Sequence, residues 1–193
     1  MRPLWAAGFV ALAVLALVAL WPREHHRKLD PCGPITHPPA QTGLETAGRS
    51  TLCLVNRERT QRGLPPLREN ALLSQASLEH SQDMVRRGYF EHDTTDGRSV
   101  GDRLRAIGYS RGFSASAGEN IAYGSGKKAT PAAIVQAWMR SPGHRADILR
   151  PTFTEIGVGI ALGAPELPQG AQQVSATYTT DFGGVPDPSL PSG

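Results

Sequence analysis

The stretch Glu155-Ile156-Gly157-Val158-Gly159-Ile160-Ala161-Leu162 decides the fold class, because every second residue in it is large and apolar. This alternation predicts a half-buried β-strand. Residues 173–182 are polar and β-branched and predict a second strand, with a Pro- and Gly-containing hairpin loop between the two. A further short strand is predicted at 121–123. The apolar face of the first strand would consist of Ile156, Val158, Ile160 and Leu162.

The residues before this hairpin carry capping and stop patterns that predict several helices. Asn70 is a favourable N-cap, and Thr130 followed by Pro131 places a capping residue before proline at the first helical position. Gly63 and Gly88 supply helix stops. Helices that precede a hairpin predict an α+β domain, in which helices pack on an antiparallel sheet. The predicted helices are residues 44–62, 71–87, 100–107 and 131–139, with a short helical turn at 141–149.

The first 43 residues are predicted to lie outside the folded domain. Residues 4–21 are apolar apart from Gly8, and this run of 18 is either a signal-peptide core or a membrane anchor. Residues 22–43 hold five prolines among polar residues and predict a linker. The predicted plan is an export segment at 1–21, a linker at 22–43, one domain at 44–184 and a flexible tail at 185–193.

Two cysteines indicate which side of the membrane the domain occupies. Arg23, Arg27 and Lys28 follow the apolar run and by charge alone favour a cytoplasmic location. Cys32 and Cys53, however, are the only cysteines and do not form a CxxC pair. An even pair in an exported chain predicts a disulfide worth about 3 kcal/mol; the alternative is two free buried thiols. We therefore expect a secreted or membrane-anchored protein that faces the extracytoplasmic side.

The net charge of +3 does not indicate nucleic-acid binding. Residues 1–28 hold four of the 20 basic side chains and one of the 17 acidic ones, so residues 29–193 hold 16 of each. A neutral domain lacks the positive field that attracts a phosphate backbone. The basic character belongs to the export segment, and we expect no nucleic-acid partner.

Three side chains are candidates for a functional site: His92 in Tyr-Phe-Glu-His-Asp, Glu119 in Ala-Gly-Glu-Asn-Ile and His144 in Ser-Pro-Gly-His-Arg. Imidazole and carboxylate groups together bind divalent metals or move protons. Each also has an ordinary explanation when taken alone. His92 would make a loop hydrogen bond, Glu119 would be a surface turn acid, and His144 would be a capping residue. His80, on the apolar face of the second helix, is predicted to be a packed core histidine.

Other enzyme signatures give no alternative site. The sequence has no H-E-x-x-H, no Walker loop and no G-x-G-x-x-G. Neither cysteine lies near a histidine in a recognisable catalytic arrangement. Ser141 is close to His144 in sequence, but an N-cap role explains it better than a nucleophile does.

Taken in order, these segments resemble the CAP superfamily: cysteine-rich secretory proteins, antigen 5 and plant pathogenesis-related proteins. The resemblance is strongest to the bacterial secreted branch and spans residues 52–183. It rests on six ordered blocks: residues 54–59, 81–84 leading to 90–92, 118–122, 137–145 with 148–149, 153–159 and 178–183.

The resemblance implies a three-layer α-β-α sandwich with a central antiparallel sheet. It also implies that His92, Glu119 and His144 line one cleft, in which the two histidines hold zinc or another divalent metal beside the glutamate. Many family members carry a second cleft acid, and the matching position is near Ser141, where no acid stands. Asp93, adjacent to His92, is a candidate replacement. The gap argues against a two-acid hydrolytic mechanism.

Three functions are consistent with this pattern. The first is a monomeric binding module with a metal-capable cleft and a small lipid or cell-envelope ligand. The second is a metal-dependent hydrolase of peptide, ester or cell-wall substrates, with Glu119 as the catalytic base. The third is a protein-interaction domain whose cleft is vestigial. An uncleaved N-terminal segment would add a membrane contact, and we expect the protein to be a binding module rather than an enzyme.

Overall fold

The structure is a computed structural model that describes residues 30–109, 116–167 and 174–184. The described helices are α1 (Pro39–Thr42), α2 (Leu44–Thr60), α3 (Ala71–Arg87), α4 (Val100–Ala106), α5 (Pro131–Arg140) and α6 (Pro142–Ile148). The described strands are β1 (Arg68–Glu69), β2 (Ser116–Ser125), β3 (Glu155–Leu162) and β4 (Ser175–Gly184). The segments predicted at 1–21 and 185–193 lie outside the described residues. Within those residues, no helix has the length and apolar character needed to cross a membrane.

The strands form one sheet in the order β1-β3-β4-β2. Strand β4 pairs antiparallel with β3 on one side and with β2 on the other, which confirms the predicted antiparallel sheet. The two-residue β1 joins the outer edge of β3 in parallel orientation. Strand β2 is far longer than the three residues predicted at 121–123, because its polar first half also pairs with β4.

Helices cover both faces of the sheet and complete the predicted three-layer α-β-α sandwich. Helices α3 and α4 lie on one face, and α2, α5 and α6 lie on the other. The larger core is on the α2 and α5 side, where the Trp138 indole N–H donates to the Ile121 carbonyl at 3.1 Å. Fully buried side chains of this core include Trp138, Phe153, Ile156, Tyr178 and Phe182.

The two faces of β3 differ in side-chain size. Ile156 and Ile160 are buried in the larger core, whereas Leu162, predicted on the same apolar face, is 47% exposed at the end of the strand. The other face presents Gly157 and Gly159 to α3. A Cβ atom at Gly159 would lie 2.0 Å from the backbone nitrogen of Leu78. Helix α3 therefore rests directly on the backbone of β3.

Serine hydroxyls satisfy the polar groups in this close contact. Ser81 Oγ donates to the Thr179 hydroxyl at 2.8 Å and lies 3.1 Å from the Gly159 carbonyl. Ser77 Oγ lies 3.3 Å from the Gly157 carbonyl and 2.9 Å from Asp181 Oδ2. Small, hydrogen-bonding side chains on α3 thus make the short distance to the sheet compatible with buried polar atoms.

A buried arginine fixes the position of α6. Arg59 on α2 is 1% exposed, and its guanidinium donates to four backbone carbonyls. One of them, Ile148 at 2.8 Å, is at the C-terminal end of α6, where carbonyls have no partner within the helix. Arg59 therefore ties α2 to the helix that carries His144. The four acceptors are the carbonyls of Pro65, Ile148, Arg150 and Phe153.

The packed domain begins earlier than the sequence predicts. Residues 30–43 lie within the predicted linker, but Cys32 and Pro39 are buried and Ile35 packs against the main core. The predicted disulfide joins Cys32 to Cys53 on α2, 21 residues apart. The cross-link holds the N-terminal segment against α2, and this is the physical reason that the proline-rich pattern misplaces the boundary.

We predict that Gly159→Ala lowers the free energy of unfolding by about 1–3 kcal/mol, because the new methyl group would force α3 away from β3. The matched control is Gly48→Ala in α2, where an added Cβ meets nothing within 4 Å. That change should raise stability by about 0.5–1 kcal/mol through helix propensity. Urea unfolding of both variants is the measurement, and equal stability of the two would contradict the close-contact account.

Candidate functional site

Glu119 lies in the middle of the candidate site. It is on β2, and its side chain is 1% exposed. A carboxylate in such a position is costly unless charges and donors compensate it. The neighbouring residues Gly118 and Asn120 face α6, since a Cβ at Gly118 would contact Asp147 and Asn120 bonds to α6. By strand alternation, Glu119 faces α3 and α4 instead.

The compensating cation is Arg103 on α4. Its guanidinium forms a close ion pair with Glu119 Oε2, and its other terminal nitrogen donates to the His92 carbonyl at 2.7 Å. Arg103 is itself 7% exposed, so both members of the ion pair are removed from water. Helix α4 has only seven residues and is held by a capping box between Ser99 and Asp102. Arg103 is not among the site residues predicted from the sequence.

His92 connects this buried pair to the surface. Its Nδ1–H donates to Glu119 Oε1 at 2.8 Å, and half of its side chain is exposed. The hydrogen bond to Glu119 raises the pKa of His92, and burial acts in the opposite direction. Because Nδ1 is engaged, Nε2 is the nitrogen left for a ligand.

His80 supports the same carboxylate from α3. It is buried, as predicted, and its Nε2–H donates to the Glu91 carbonyl at 3.1 Å while lying 3.8 Å from Glu119 Oε1. Burial lowers the pKa of His80, against a smaller opposing effect of the Glu119 charge. His80 is therefore a neutral neighbour of the site as well as a core residue.

His144 is the third predicted residue, and it enters from α6. Its backbone carbonyl accepts a hydrogen bond from the Asn120 side chain at 3.0 Å, which anchors α6 to β2. Burial lowers the pKa of His144, the His92 charge lowers it further, and Asp147 opposes both effects. His92 and His144 thus lie close enough to sense each other's charge.

Two acids of the site were missed by the sequence analysis. Asp147 on α6 pairs with Arg150 at 2.9 Å, and its charge acts to raise the pKa of both His92 and His144. Its spacing of three residues from His144 places both on one face of a helix, and this signal was available in the sequence. Asp181 on β4 lies directly opposite Glu119 and is fully buried. Nothing in the polar pattern of residues 173–182 distinguished it.

The remaining predicted residues are peripheral. Asp93 is exposed on the loop after α3, so its proximity to His92 in sequence does not by itself place it in the site. Ser141 stands at the N-cap of α6, but its side chain makes no capping hydrogen bond. Asp147, on the same helix as Ser141, is an acid of this region, and its carboxylate is bonded to Arg150 at 2.9 Å.

The residues are compatible with a metal held by two histidines. A ligating histidine commonly donates its second ring N–H to a carboxylate, as His92 does to Glu119. Across the described part of the chain, no group of three or more His, Cys, Asp and Glu side chains converges as a ready-made ligand set. A metal here would therefore keep open positions for water or a ligand, unlike a closed structural zinc site.

Sequence comparison identifies the class of protein. The family described as "CAP: Cysteine-rich secretory protein family" matches residues 52–166, more than half of the 193-residue chain. The chain therefore belongs to the CAP family.

Two curated relatives come from Bacillus subtilis (strain 168). Uncharacterized protein YkwD is 40% identical over 120 residues, which are 62% of this chain and 44% of YkwD. Uncharacterized membrane protein YlbC is 32% identical over 117 residues, which are 60% of this chain and 32% of YlbC. The chain thus spans less than half the length of either relative.

Solved structures agree with this assignment. The fold is similar to that of an extracellular protein containing an SCP domain from Bacillus anthracis str. Ames, with 30% identity and a TM-score of 0.55, over 74% of this chain and 40% of that one. An outer surface protein from Borrelia burgdorferi gives a TM-score of 0.57 at 17% identity, over 69% of this chain and 89% of that one. The second likeness shows the fold alone.

We predict that Arg103→Met lowers the free energy of unfolding by about 3–5 kcal/mol, because it leaves the Glu119 carboxylate buried without its cation. The double variant Arg103→Met with Glu119→Gln should recover most of that loss, since both charges are then absent. Denaturant unfolding of each variant measures the effect.

The control for this experiment is Arg105→Met on the same helix, whose side chain is 68% exposed. It should change stability by no more than about 0.5 kcal/mol. A small effect of Arg103→Met, or a double variant no more stable than the single one, would contradict the buried ion pair.

Proposed function

We propose that the chain is an extracytoplasmic CAP-family binding module whose cleft holds a divalent cation, zinc being the ion to test, through His92 and His144. The observation that carries this proposal is the hydrogen bond of 2.8 Å from His92 Nδ1 to Glu119 Oε1. It fixes the ring orientation and leaves Nε2 unbonded for ligation. A bound cation would supply a Lewis acid that attracts carboxylate or phosphate groups of a ligand.

Glu119 is better suited to orienting His92 than to acting as a catalytic base. A base must exchange protons with water or substrate, whereas the Glu119 side chain is 1% exposed. Both of its oxygens are also engaged, one by His92 and the other by Arg103. This arrangement favours binding over hydrolysis.

A serine nucleophile gains no support from the fold. Residues 108–112, Gly-Tyr-Ser-Arg-Gly, match the G-x-S-x-G pattern of a nucleophile elbow. They follow helix α4, however, whereas a nucleophile elbow follows a strand. Ser110 lies outside the described residues.

An extracytoplasmic location is supported by the disulfide between Cys32 and Cys53, since such bonds persist in oxidising compartments. It is also supported by the similarity to the Bacillus anthracis protein, which is described as extracellular. The apolar run at residues 4–21 would provide either the export signal or the anchor.

We predict that zinc binds the wild-type protein and that His92→Ala and His144→Ala each weaken binding at least about tenfold. Binding should also weaken as the pH falls, beginning above about 6.5, because the Glu119 hydrogen bond raises the pKa of His92 and only neutral imidazole ligates a metal. Isothermal titration calorimetry on the purified domain is the measurement.

The matched control is His37→Ala, which removes an exposed histidine of the N-terminal segment. It should leave zinc affinity unchanged. Zinc binding that survives both cleft substitutions, or that persists equally at pH 5, would overturn the metal role of His92 and His144.

The ligand we propose is a small lipid or another cell-envelope molecule with an apolar part. Support comes from a second site, a groove of about 600 Å³ between α2, α3 and β3 that shares no lining residue with the histidine cleft. Its wall includes the exposed side chains of Leu44 and Leu78. Val158 and Ile160 of β3 line its floor.

We predict that organic extraction of the protein purified from its exporting host releases a lipid detectable by mass spectrometry. Leu78→Glu should reduce the recovered amount, because it places a charge in the groove. Leu72→Glu is the control, since Leu72 is equally exposed on α3 but is not among the residues lining the groove. Extracts free of lipid, or unaffected by Leu78→Glu, would remove the support for this ligand.

A further inference from the structure

Two carboxyl groups face each other inside the sandwich. Glu119 on β2 and Asp181 on β4 are partners in the antiparallel register, so their side chains are on the same face of the sheet. Directly opposed residues have Cβ atoms about 4.5–5.5 Å apart. Asp181 is 0% exposed and Glu119 is 6% exposed. A negative charge on either carboxyl group would therefore not be stabilised by bulk water.

The surroundings provide one fixed positive charge for these two acids. Among the described residues around the pair, α4 contributes Arg103, which is already paired with Glu119 Oε2. Helix α3 contributes neutral His80 and the hydroxyl of Ser77. The loop after α3 contributes His92, whose ring is bonded to Glu119 Oε1. Two ionised carboxylates would leave one buried negative charge uncompensated, which is strongly unfavourable.

The hydrogen bonds of Asp181 show where a proton would sit. Its Oδ2 accepts from Ser77 Oγ at 2.9 Å, and its backbone N–H donates to the same Ser77 oxygen at 3.0 Å. Its Oδ1 has no hydrogen-bond partner in the part of the chain that the structure describes. A proton on Oδ1 would have Glu119 as its acceptor, because an ionised carboxylate accepts several hydrogen bonds.

From this geometry we infer that Asp181 is a protonated carboxylic acid at neutral pH, and that its Oδ1–H donates to Glu119 and holds that carboxylate in position for His92. Burial raises the pKa of Asp181, and the Glu119 charge raises it further, in agreement with this assignment. Asp181 is a positioning residue, since it is sealed from the cleft and acts through Glu119.

This inference extends the proposed function by naming what orients its carboxylate, but the protonation state itself does not depend on metal binding. The metal-free protein is therefore the first sample. We expect an infrared carbonyl band of a protonated carboxylic acid at pH 7 in wild type that is missing in Asp181→Asn. Absence of a band assignable to Asp181 would overturn the inference.

Stability measured against pH gives a second readout on the same samples. An acid whose folded-state pKa is raised contributes stability that is fully present below its unfolded pKa and is lost as pH rises through the folded value. This pH dependence should be present in wild type and absent in Asp181→Asn, which keeps an N–H donor but cannot ionise. At neutral pH that variant should equal or exceed wild type in stability; a marked loss would indicate that Asp181 is ionised and would overturn the inference.

The zinc affinity of two Asp181 variants tests whether Asp181 positions the Glu119 carboxylate. Asp181→Asn should bind zinc about as tightly as wild type, whereas Asp181→Val, which removes the donor, should bind about 10–100-fold more weakly. Equal affinities of the two variants would overturn the positioning role. If wild type binds no zinc, the proposed function fails, while the infrared and pH experiments still decide the state of Asp181.

Discussion

The buried ion pair between Arg103 and Glu119 is the interaction on which the candidate site depends. Strand β2 carries a carboxylate into the interior, and one guanidinium from α4 compensates its charge. The same guanidinium holds the His92 carbonyl and thereby fixes the loop after α3. One side chain thus connects a helix, a strand and a loop, and the orientation of His92 follows from that connection. A lysine would not serve equally well, because only the guanidinium fork reaches both acceptors in a fixed geometry.

The glycine face of β3 allows α3 to lie close to the sheet, so that side chains of α3 reach the buried acids. Since Gly157 and Gly159 carry no side chains, α3 approaches the sheet closely enough for the short Ser77 side chain to reach Asp181. His80, one turn further along α3, comes within 3.8 Å of Glu119 for the same reason. On the other side of the domain, Arg59 anchors the end of α6 and so sets the position of His144. Backbone packing and buried arginines therefore place the site residues before any ligand does.

The sequence predicted those parts of the structure that depend on local patterns. The bounds of β3, residues 155–162, follow from its strict alternation, and α3 follows from the Asn70 cap and the Gly88 stop, both seen in the structure. Strand β2 was predicted over three of its ten residues, because its start is polar and depends on pairing with β4. Arg103 and Asp181 escaped prediction because their importance arises from partners distant in sequence. Asp147 is different, because its helical spacing of three residues from His144 is visible in the sequence.

The burial of the two carboxyl groups supports the proposed binding function over the proposed hydrolysis. Proton transfer needs a group whose two protonation states are close in free energy and whose oxygen meets the substrate. Glu119 instead has both carboxylate oxygens engaged, one by Arg103 and the other by the His92 N–H, and its side chain has almost no exposed surface. A second acid opposite it, at Asp181, is equally sealed from the cleft. These contacts hold His92 in one orientation with Nε2 left for a ligand, which the proposed two-histidine site would require of its surroundings.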